Sequence, residues 1–398
     1  MERRKRWLRW LLMFVVIRMV LNAANRMAYP FLREFQTGLG LSLEATTHAL
    51  ALRSASLVVG PALAWLPERR GRRAGMLFGL ALFVAGMVLG ATWASWWGFT
   101  LALVLAAWAK VAFDASMQAF VGDRVAYERR GAVLAATELS WSLSFFVGMP
   151  LVGLMLSRGD WRTPFWVMAI LGVGFAWAVA RGVTPEPVVR QKLHERTARA
   201  HLLDALRKPA FWLAVAFGLF ATAANESVGL LFGVWLSDAY GFALSGLGLA
   251  AAIIGLAELS GEGLTVLTVD GFGKRRLILA GLAGNMAAAA TLPWLGRLGP
   301  TGALAGLFVF FLTFEVLLVG SIPLMTEILP HQRALTMGAF SGSVALGRAL
   351  GAALAPRFYA SGGVAALTLL ALAFNLMAVL VVTRLRPAGS PKTRRSAK

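Results

Sequence analysis

The sequence predicts an all-α membrane protein with twelve transmembrane helices in two six-helix bundles that are pseudo-repeats of one another. Composition is the first observation: 58% of the residues are hydrophobic, 15% are charged, and the mean hydropathy is +0.68. Soluble domains carry about 25% charged residues. The second observation is that apolar segments of about 20 residues, long enough to cross a bilayer as a helix, recur along almost the whole chain. The third is a repeat of features after about 200 residues.

Hydropathy predicts six spans in each half of the chain. The first six cover residues 10–30, 45–66, 75–96, 99–121, 132–156 and 164–181. The second six cover residues 210–236, 244–267, 277–295, 301–326, 334–356 and 363–383. A charged segment with the spacing of an amphipathic interfacial helix lies between the two sets. The predicted domains are an N-terminal bundle at 1–183, a cytoplasmic linker at 184–209, a C-terminal bundle at 210–384 and a basic cytoplasmic tail at 385–398.

The net charge of +20 would suit nucleic-acid binding, but the positions of the basic residues argue against it. They lie in short clusters between the apolar segments, at residues 3–9, 69–73 and 124–130. Such clusters are typical of loops that stay in the cytoplasm. We therefore expect a multi-pass protein of the cell membrane with both termini in the cytoplasm. It would contact the lipid bilayer and would not bind nucleic acid.

Residue types also exclude several kinds of site. The chain has no cysteine and four histidines, so disulfides and thiolate metal sites are excluded. Nucleophile-elbow, zinc-protease and ATP-binding motifs are absent from the sequence, which argues against a membrane enzyme or an ATP-driven pump. We expect no cofactor and no metal.

The two halves resemble copies of one sequence. The tripeptide Ala-Ala-Asn at 23–25 recurs at 223–225, which aligns Arg26 with Glu226. Further matches have offsets of 201 to 203, and they pair Asp114 with Glu315, Glu68 and Gly71 with Asp270 and Gly273, and Arg130 with Arg333. A duplication with parallel halves is one of the two common layouts of transporters.

Charged residues inside the predicted spans indicate a central cavity. A charge near the bilayer centre costs at least about 2.5 kcal/mol unless it faces protein or water. Spans three, six, nine and twelve have no charge in their interiors, so every third span is free to face lipid. The other spans carry Arg18, Arg26, Arg53, Lys110, Asp114 and Glu138 in the first half and Glu226, Glu258, Glu262, Glu315 and Arg348 in the second.

Helical spacing selects the candidate residues of this cavity. Arg18, Asn22, Asn25 and Tyr29 would share one face of the first span, and Arg18, Asp114 and Glu138 would lie at a similar depth. The candidates for the cavity or substrate site are Arg18, Asn22, Asn25, Arg26, Arg53, Lys110, Asp114, Gln118, Asn225, Glu226, Glu315 and Arg348. The candidates for a coupling proton are Asp114, Glu138, Glu226 and Glu315. A structural ion pair between helices is the alternative for each of them.

The loop after the second span reads AWLPERRGRRAGM, and VLTVDGFGKRR stands at the matching place in the second half. These segments, with GDRVAYERRGA after the fourth span, resemble the signature loops of the major facilitator superfamily, of the drug/proton antiporter type. The resemblance implies that the first, fourth, seventh and tenth spans line a pathway. It also implies a cytoplasmic gate formed by Glu68, Arg69, Gly71, Arg72, Arg129, Arg130, Asp270, Gly273 and Lys274.

The function predicted from these features is secondary transport of a small organic solute by alternating access, coupled to protons. Export is favoured over uptake by the likeness to drug-exporter loops, and the protein is expected to be a monomer. A solute uptake symporter is one alternative. A sensor or scaffold that keeps the fold without transporting is another, and vesicle counterflow would distinguish it.

Overall fold

The computed structural model describes residues 2–60, 71–125, 136–184, 203–329 and 332–385, and for residues 2–8, Asp270 and Ala334 it describes the backbone alone. All regular structure in these ranges is helical. In chain order the helices are α1 (Glu2–Arg26), α2 (Leu32–Leu39), α3 (Leu43–Ser56), α4 (Arg72–Thr92), α5 (Trp96–Arg124), α6 (Ala136–Arg158), α7 (Thr163–Gly182), α8 (Pro209–Gly229), α9 (Phe232–Tyr240), α10 (Leu244–Phe272), α11 (Lys274–Arg297), α12 (Pro300–Ile328) and α13 (Arg333–Arg384).

Nine helical segments in the described ranges are long and apolar enough to cross a membrane. The last, Leu335–Arg384, contains Gly362 and Gly363 in non-helical conformations, so α13 is two helices joined at a break. This break falls between the predicted eleventh and twelfth spans. The first predicted span, residues 10–30, overlaps α1 and the turn that follows it, whereas α2 lies beyond that span. The second predicted span, residues 45–66, overlaps α3, and its residues 61–66 lie outside the described residues.

The chain divides into two compact units. The first comprises Met1–Arg190 and Leu231–Leu256, and the second comprises Gln191–Leu230 and Ala257–Lys398. Edge-to-face aromatic contacts hold the first unit together, such as Phe14 with Phe113 and Phe35 with Phe165. In the second unit the rings of Phe217 and Phe340 stack within an apolar core.

The predicted first span is not one continuous helix, because α1 ends at Arg26 and the chain turns through Met27–Phe31 before α2. Pro30 lacks the N–H of a helical bond and disfavours helical geometry at Tyr29. Tyr29 therefore lies in the turn, beyond the helical face on which its spacing placed it.

Both halves repeat this arrangement of a long helix followed by a short one. α8 ends at Gly229 and α9 begins at Phe232, at an offset of 200 from Leu32. The short helices α2 and α9 each end on a glycine with φ of 64°, Gly40 and Gly241. A left-handed glycine is a common way to terminate a helix, and its recurrence shows that the repeat extends to backbone conformation.

Candidate functional site

Arg18 joins three helices of the first unit. Its Nε donates to Asp114 Oδ1 at 2.9 Å, and its Nη1 and Nη2 donate to Glu138 Oε1 and Oε2 at 2.9 and 3.0 Å. Arg18 is 3% exposed. A guanidinium presents five donors in a rigid fork, so one arginine can bind two carboxylates from different helices, here α5 and α6.

Lys110 completes the cluster from one turn earlier in α5. Its Nζ lies 2.5 Å from Asp114 Oδ2, so Asp114 accepts hydrogen bonds from two cations. The cluster of Arg18, Lys110, Asp114 and Glu138 contains two positive and two negative groups, which gives a formal charge of zero. The side chain of Asp114 is 14% exposed and that of Glu138 is 52% exposed.

Amide side chains continue the polar face of α1 above the cluster. Asn22 Nδ2 donates to Ser140 Oγ at 3.3 Å, while Asn22 Oδ1 is buried without a partner among the described residues. Asn25 Nδ2 donates to the carbonyls of Leu21 and Ala106. Gln118, predicted on the same stripe of α5 as Asp114, is exposed.

Arg26 lies against two aromatic rings of α6. Its guanidinium carbon is 4.2 Å from the ring centre of Trp141 and 3.4 Å from that of Phe145, and Nη1 donates to the Trp141 carbonyl at 3.2 Å. Phe145 belongs to a π-helical segment, Ser144–Gly148, and such bulges are frequent at functional sites. Sequence reasoning missed Trp141 and Phe145, although they follow Glu138 by three and seven residues on one helical face.

Arg53 of α3 reaches the end of α1. Its Nη1 donates to the Asn25 carbonyl at 2.5 Å and its Nη2 donates to the Tyr29 hydroxyl at 3.0 Å. The residue is 5% exposed. The structure therefore places this candidate beside the break in the first span.

The second unit holds the remaining cavity candidates. Glu226 and Asn225 in α8 are 1% and 8% exposed, Glu315 in α12 is 6% exposed, and Arg348 in α13 is half-buried. Asn225 Oδ1 is buried without a hydrogen-bond partner in the described chain. A glycine packs closely against each of the two glutamates. A Cβ on Gly351 would lie 2.7 Å from Glu226 Cβ, and one on Gly261 would lie 2.8 Å from Glu315 Cβ.

The predicted gate loops are described only in part. Glu68, Arg69, Arg129 and Arg130 lie outside the described residues, as does the side chain of Asp270. Arg72 Nε donates to Asp123 Oδ2 at 3.3 Å, and Lys274 Nζ pairs with Glu327.

The neighbouring arginines also repeat their contacts. Arg73 donates to the Ala180 carbonyl at the end of α7, and Arg275 donates to the Thr383 carbonyl at the end of α13, at 2.6 Å. Lysines and arginines at helix C-termini are favourable because the last carbonyls carry partial negative charge. Sequence reasoning missed Glu327 as the counterpart of Asp123, because the two lie 204 residues apart whereas the matches that define the repeat have offsets of 200 to 203.

No group of three or more histidine, aspartate or glutamate side chains that could hold a metal ion occurs in the part of the chain that the structure describes. What the cluster around Arg18 offers chemically is exchangeable protons and hydrogen bonds.

A family profile and two curated relatives assign the chain to the same protein family. The sequence profile of the Major Facilitator Superfamily matches residues 14–319, which is more than half of the chain. The MFS-type transporter YwfA of Bacillus subtilis (strain 168) is 24% identical over 362 residues, covering 87% of this chain and 85% of that protein. The MFS-type transporter YceJ of the same organism is 25% identical over 324 residues, 79% of each chain.

Solved structures show the same fold. A D-xylose–proton symporter superposes with a TM-score of 0.77 at 16% identity, covering 95% of this chain and 97% of that one. A mutant of the nucleoside transporter NupG superposes with a TM-score of 0.76 at 13% identity, covering 94% and 98%. Identities this low establish the fold and leave the solute open. The chain belongs to the Major Facilitator Superfamily and is a multi-pass integral membrane transporter, a class that binds small-molecule substrates within the membrane and is not enzymatic.

Proposed function

We propose that this protein is a proton-coupled secondary transporter, monomeric in the cell membrane, that exports a small organic solute by alternating access. The observation that carries the proton part is the sharing of one buried guanidinium, that of Arg18, by the carboxylates of Asp114 and Glu138. The three residues come from α1, α5 and α6, so the charge state of the cluster affects how three helices are held together.

Protonation would change these contacts in a defined way. Hydrogen bonds between ionised partners are roughly twice as strong as neutral ones, so a protonated carboxyl holds Arg18 more weakly. The cluster would also change from neutral to a formal charge of +1, which is costly away from water. A proton therefore favours a rearrangement of α1, α5 and α6 or the arrival of a compensating group.

Exposure suggests a route for the proton. Half of the Glu138 side chain is exposed, whereas most of the Asp114 side chain is buried. We infer that Glu138 exchanges protons with water and that Asp114 is the inner site, because both bind the same guanidinium. Glu226 and Glu315 of the second unit remain further candidates for the coupling proton.

The direction of transport and the orientation of the chain in the membrane are proposed on separate grounds. Export is favoured because the loops around Gly71 and Gly273 resemble those of drug/proton antiporters. Cytoplasmic termini are favoured because basic residues concentrate in alternate loops. Since the chain has no native cysteine, single cysteines placed near each terminus and labelled from outside the cell test the orientation directly.

Transport measurements test the proposal in purified proteoliposomes. A thermal-shift screen first identifies a solute that raises the unfolding temperature, because binding to the folded state stabilises it. Uptake of that solute is then measured with an acidic lumen, an acidic exterior or no gradient. Antiport predicts stimulation by the acidic lumen, whereas stimulation by the acidic exterior would indicate a symporter and overturn the export assignment.

Asp114→Asn and Glu138→Gln test the cluster. Each is expected to abolish stimulation by the pH gradient while solute counterflow persists. Glu44→Gln is the matched control, because Glu44 is an exposed carboxylate of α3, 3.9 Å from His48 and outside the cluster. Wild-type transport that does not respond to either gradient would contradict proton coupling.

A further inference from the structure

The turn that follows α1 raises the question of how its backbone groups are hydrogen-bonded. The five residues Met27–Phe31 are non-helical and all are buried. In a membrane-spanning segment no water is present to satisfy exposed N–H and C=O groups, so irregular backbone is tolerated only where protein or a cavity supplies partners. The partners of this turn should therefore be identifiable.

Backbone donors satisfy part of the turn, and the Asn25 carbonyl is not among the groups that they satisfy. Met27 N donates to Ala23 O at 2.8 Å, and Phe31 N donates to Met27 O at 3.3 Å. Tyr29 N donates to Arg26 O at 3.1 Å, where a continuing helix would have directed it to Asn25 O. The Asn25 carbonyl receives its hydrogen bond from Arg53 Nη1 instead.

The contacts of Arg53 indicate that it binds the C-terminal end of α1. Its hydrogen-bond acceptors in the described chain are all neutral: the Asn25 carbonyl, the Tyr29 hydroxyl and the Ser54 hydroxyl. No carboxylate of the described residues pairs with it. An ion pair therefore does not account for its burial, whereas the partial negative charge at a helix C-terminus does.

The second half of the chain shows what happens without the proline. Leu230 stands where the first half has Pro30, at an offset of 200, and Leu230 N donates to Glu226 O at 3.0 Å. α8 accordingly continues to Gly229, three residues beyond the position equivalent to Arg26. The position equivalent to Arg53, at the offset of 201 that relates α3 to α10, is the fully buried Ile254. An arginine is present only in the half whose helix is broken by proline.

We propose that Arg53 is a positioning residue that caps the broken end of α1 from α3 and thereby fixes the turn Met27–Phe31. The turn follows directly on Asn25 and Arg26, so the cap sets where these two cavity candidates lie. This role does not depend on proton coupling and holds whatever solute the protein carries.

Cysteine accessibility in the full-length protein tests the cap. Ala28 is fully buried in the turn, and the chain has no native cysteine. In Ala28→Cys proteoliposomes, Arg53→Met should raise the rate of labelling by a membrane-impermeant maleimide about tenfold, the scale expected for losing one charge-assisted hydrogen bond. Pro30→Ala restores an amide donor, so in that background Arg53→Met should change the rate much less.

Two controls separate a local cap from general destabilisation. Ala289→Cys reports on a fully buried position in α11 of the second unit, and its labelling should not respond to Arg53→Met. Pro293→Ala, a proline inside α11, should not relieve the effect of Arg53→Met at Ala28→Cys.

Arg53→Lys keeps the charge without the fork and should give an intermediate rate at Ala28→Cys, which provides a second measurement if Arg53→Met does not fold. Equal effects of Arg53→Met with Pro30 and with Ala at that position would overturn the proposal. So would equal increases at Ala28→Cys and Ala289→Cys.

Discussion

Gly71 and Gly273 adopt nearly the same backbone conformation, with φ and ψ of 92° and 157° in the first and 87° and 133° in the second. Each precedes a helix whose first residue is basic, Arg72 or Lys274, and that residue pairs with an acid near the end of the helix that follows. The two glycines therefore do not merely reflect the high glycine content of membrane helices. They are the same structural position occupied twice.

Substitution of these glycines should have the same effect in both halves. A side chain rarely adopts φ near 90°, so Gly71→Ala and Gly273→Ala should each reduce stability by roughly 1 kcal/mol or more, through strain. The expected readout is a lower unfolding temperature in detergent for both variants. Nothing lies within 4 Å of a Cβ built at Gly273, so strain and not a clash would be the cause.

Gly174→Ala is the matched control for this experiment. Gly174 lies inside α7 at negative φ, with nothing within 4 Å of an added Cβ. Alanine is favoured over glycine in a helix interior by about 1 kcal/mol, so this variant should be as stable as wild type or more stable. A loss of stability in Gly174→Ala equal to that in Gly273→Ala would contradict the assignment of strain.

Arg33 and Asp238 form an ion pair between α2 and α9 in the first unit. Both side chains are partly exposed, at 45% and 32%, so we expect the pair to contribute no more than about 1 kcal/mol. Arg33→Asp and Asp238→Arg should each lower the unfolding temperature, and the double swap should restore part of it. The recovery should shrink in high salt, because exposed charges are screened.

The close approach beside this pair predicts a larger effect. A Cβ on Gly233 would lie 2.8 Å from Pro30 Cα, which leaves no room for any side chain between α9 and the turn after α1. Gly233→Ala should therefore destabilise the protein by about 1–3 kcal/mol, the usual cost of overpacking. An unfolding temperature equal to that of wild type would show that the two segments can separate without cost.

Much of the fold could be predicted because its signals are local. Segment length and hydropathy locate the helices, and the repeat offset relates the two halves. The break at Met27–Phe31 was missed because the hydropathy of the segment is continuous through Pro30, and only backbone geometry shows where the helix ends. The break at Gly362 and Gly363 was easier to predict, because the apolar segment there is long enough for two spans and must contain a boundary between them.

The candidate site was predictable to a lesser degree. Depth along the helices brought Arg18, Asp114 and Glu138 to one level, and the structure joins them. Depth does not give the rotation of a helix about its own axis, so it could not predict how far Gln118 is exposed. Phe145, whose ring Arg26 contacts, belongs to a π-helical segment, and the sequence carries no clear signal for such a segment.

Removing Arg18 should be the most damaging single change in the charged cluster. Arg18→Gln would leave two carboxylates without their shared cation, and breaking a buried ion pair typically costs about 3–5 kcal/mol. Because half of Glu138 is exposed, the lower end of that range is expected. Thermal unfolding of the double variant Arg18→Gln, Glu138→Gln, which keeps the Lys110–Asp114 pair and a formal cluster charge of zero, should recover most of the loss. No recovery would argue that Arg18 acts mainly through packing.

Two buried asparagines join three helices of the second unit. Asn375 Nδ2 in α13 donates to Asn285 Oδ1 in α11 at 2.8 Å, and Asn285 Nδ2 donates to the Phe310 carbonyl in α12 at 2.7 Å. Hydrogen bonds between membrane helices contribute about 0.6 kcal/mol on average and up to about 1.7. A double-mutant cycle with Asn285→Ala and Asn375→Ala should therefore give a coupling energy in that range, measured by unfolding in detergent. Additive effects would indicate that packing, and not the amide pair, holds α11 against α13.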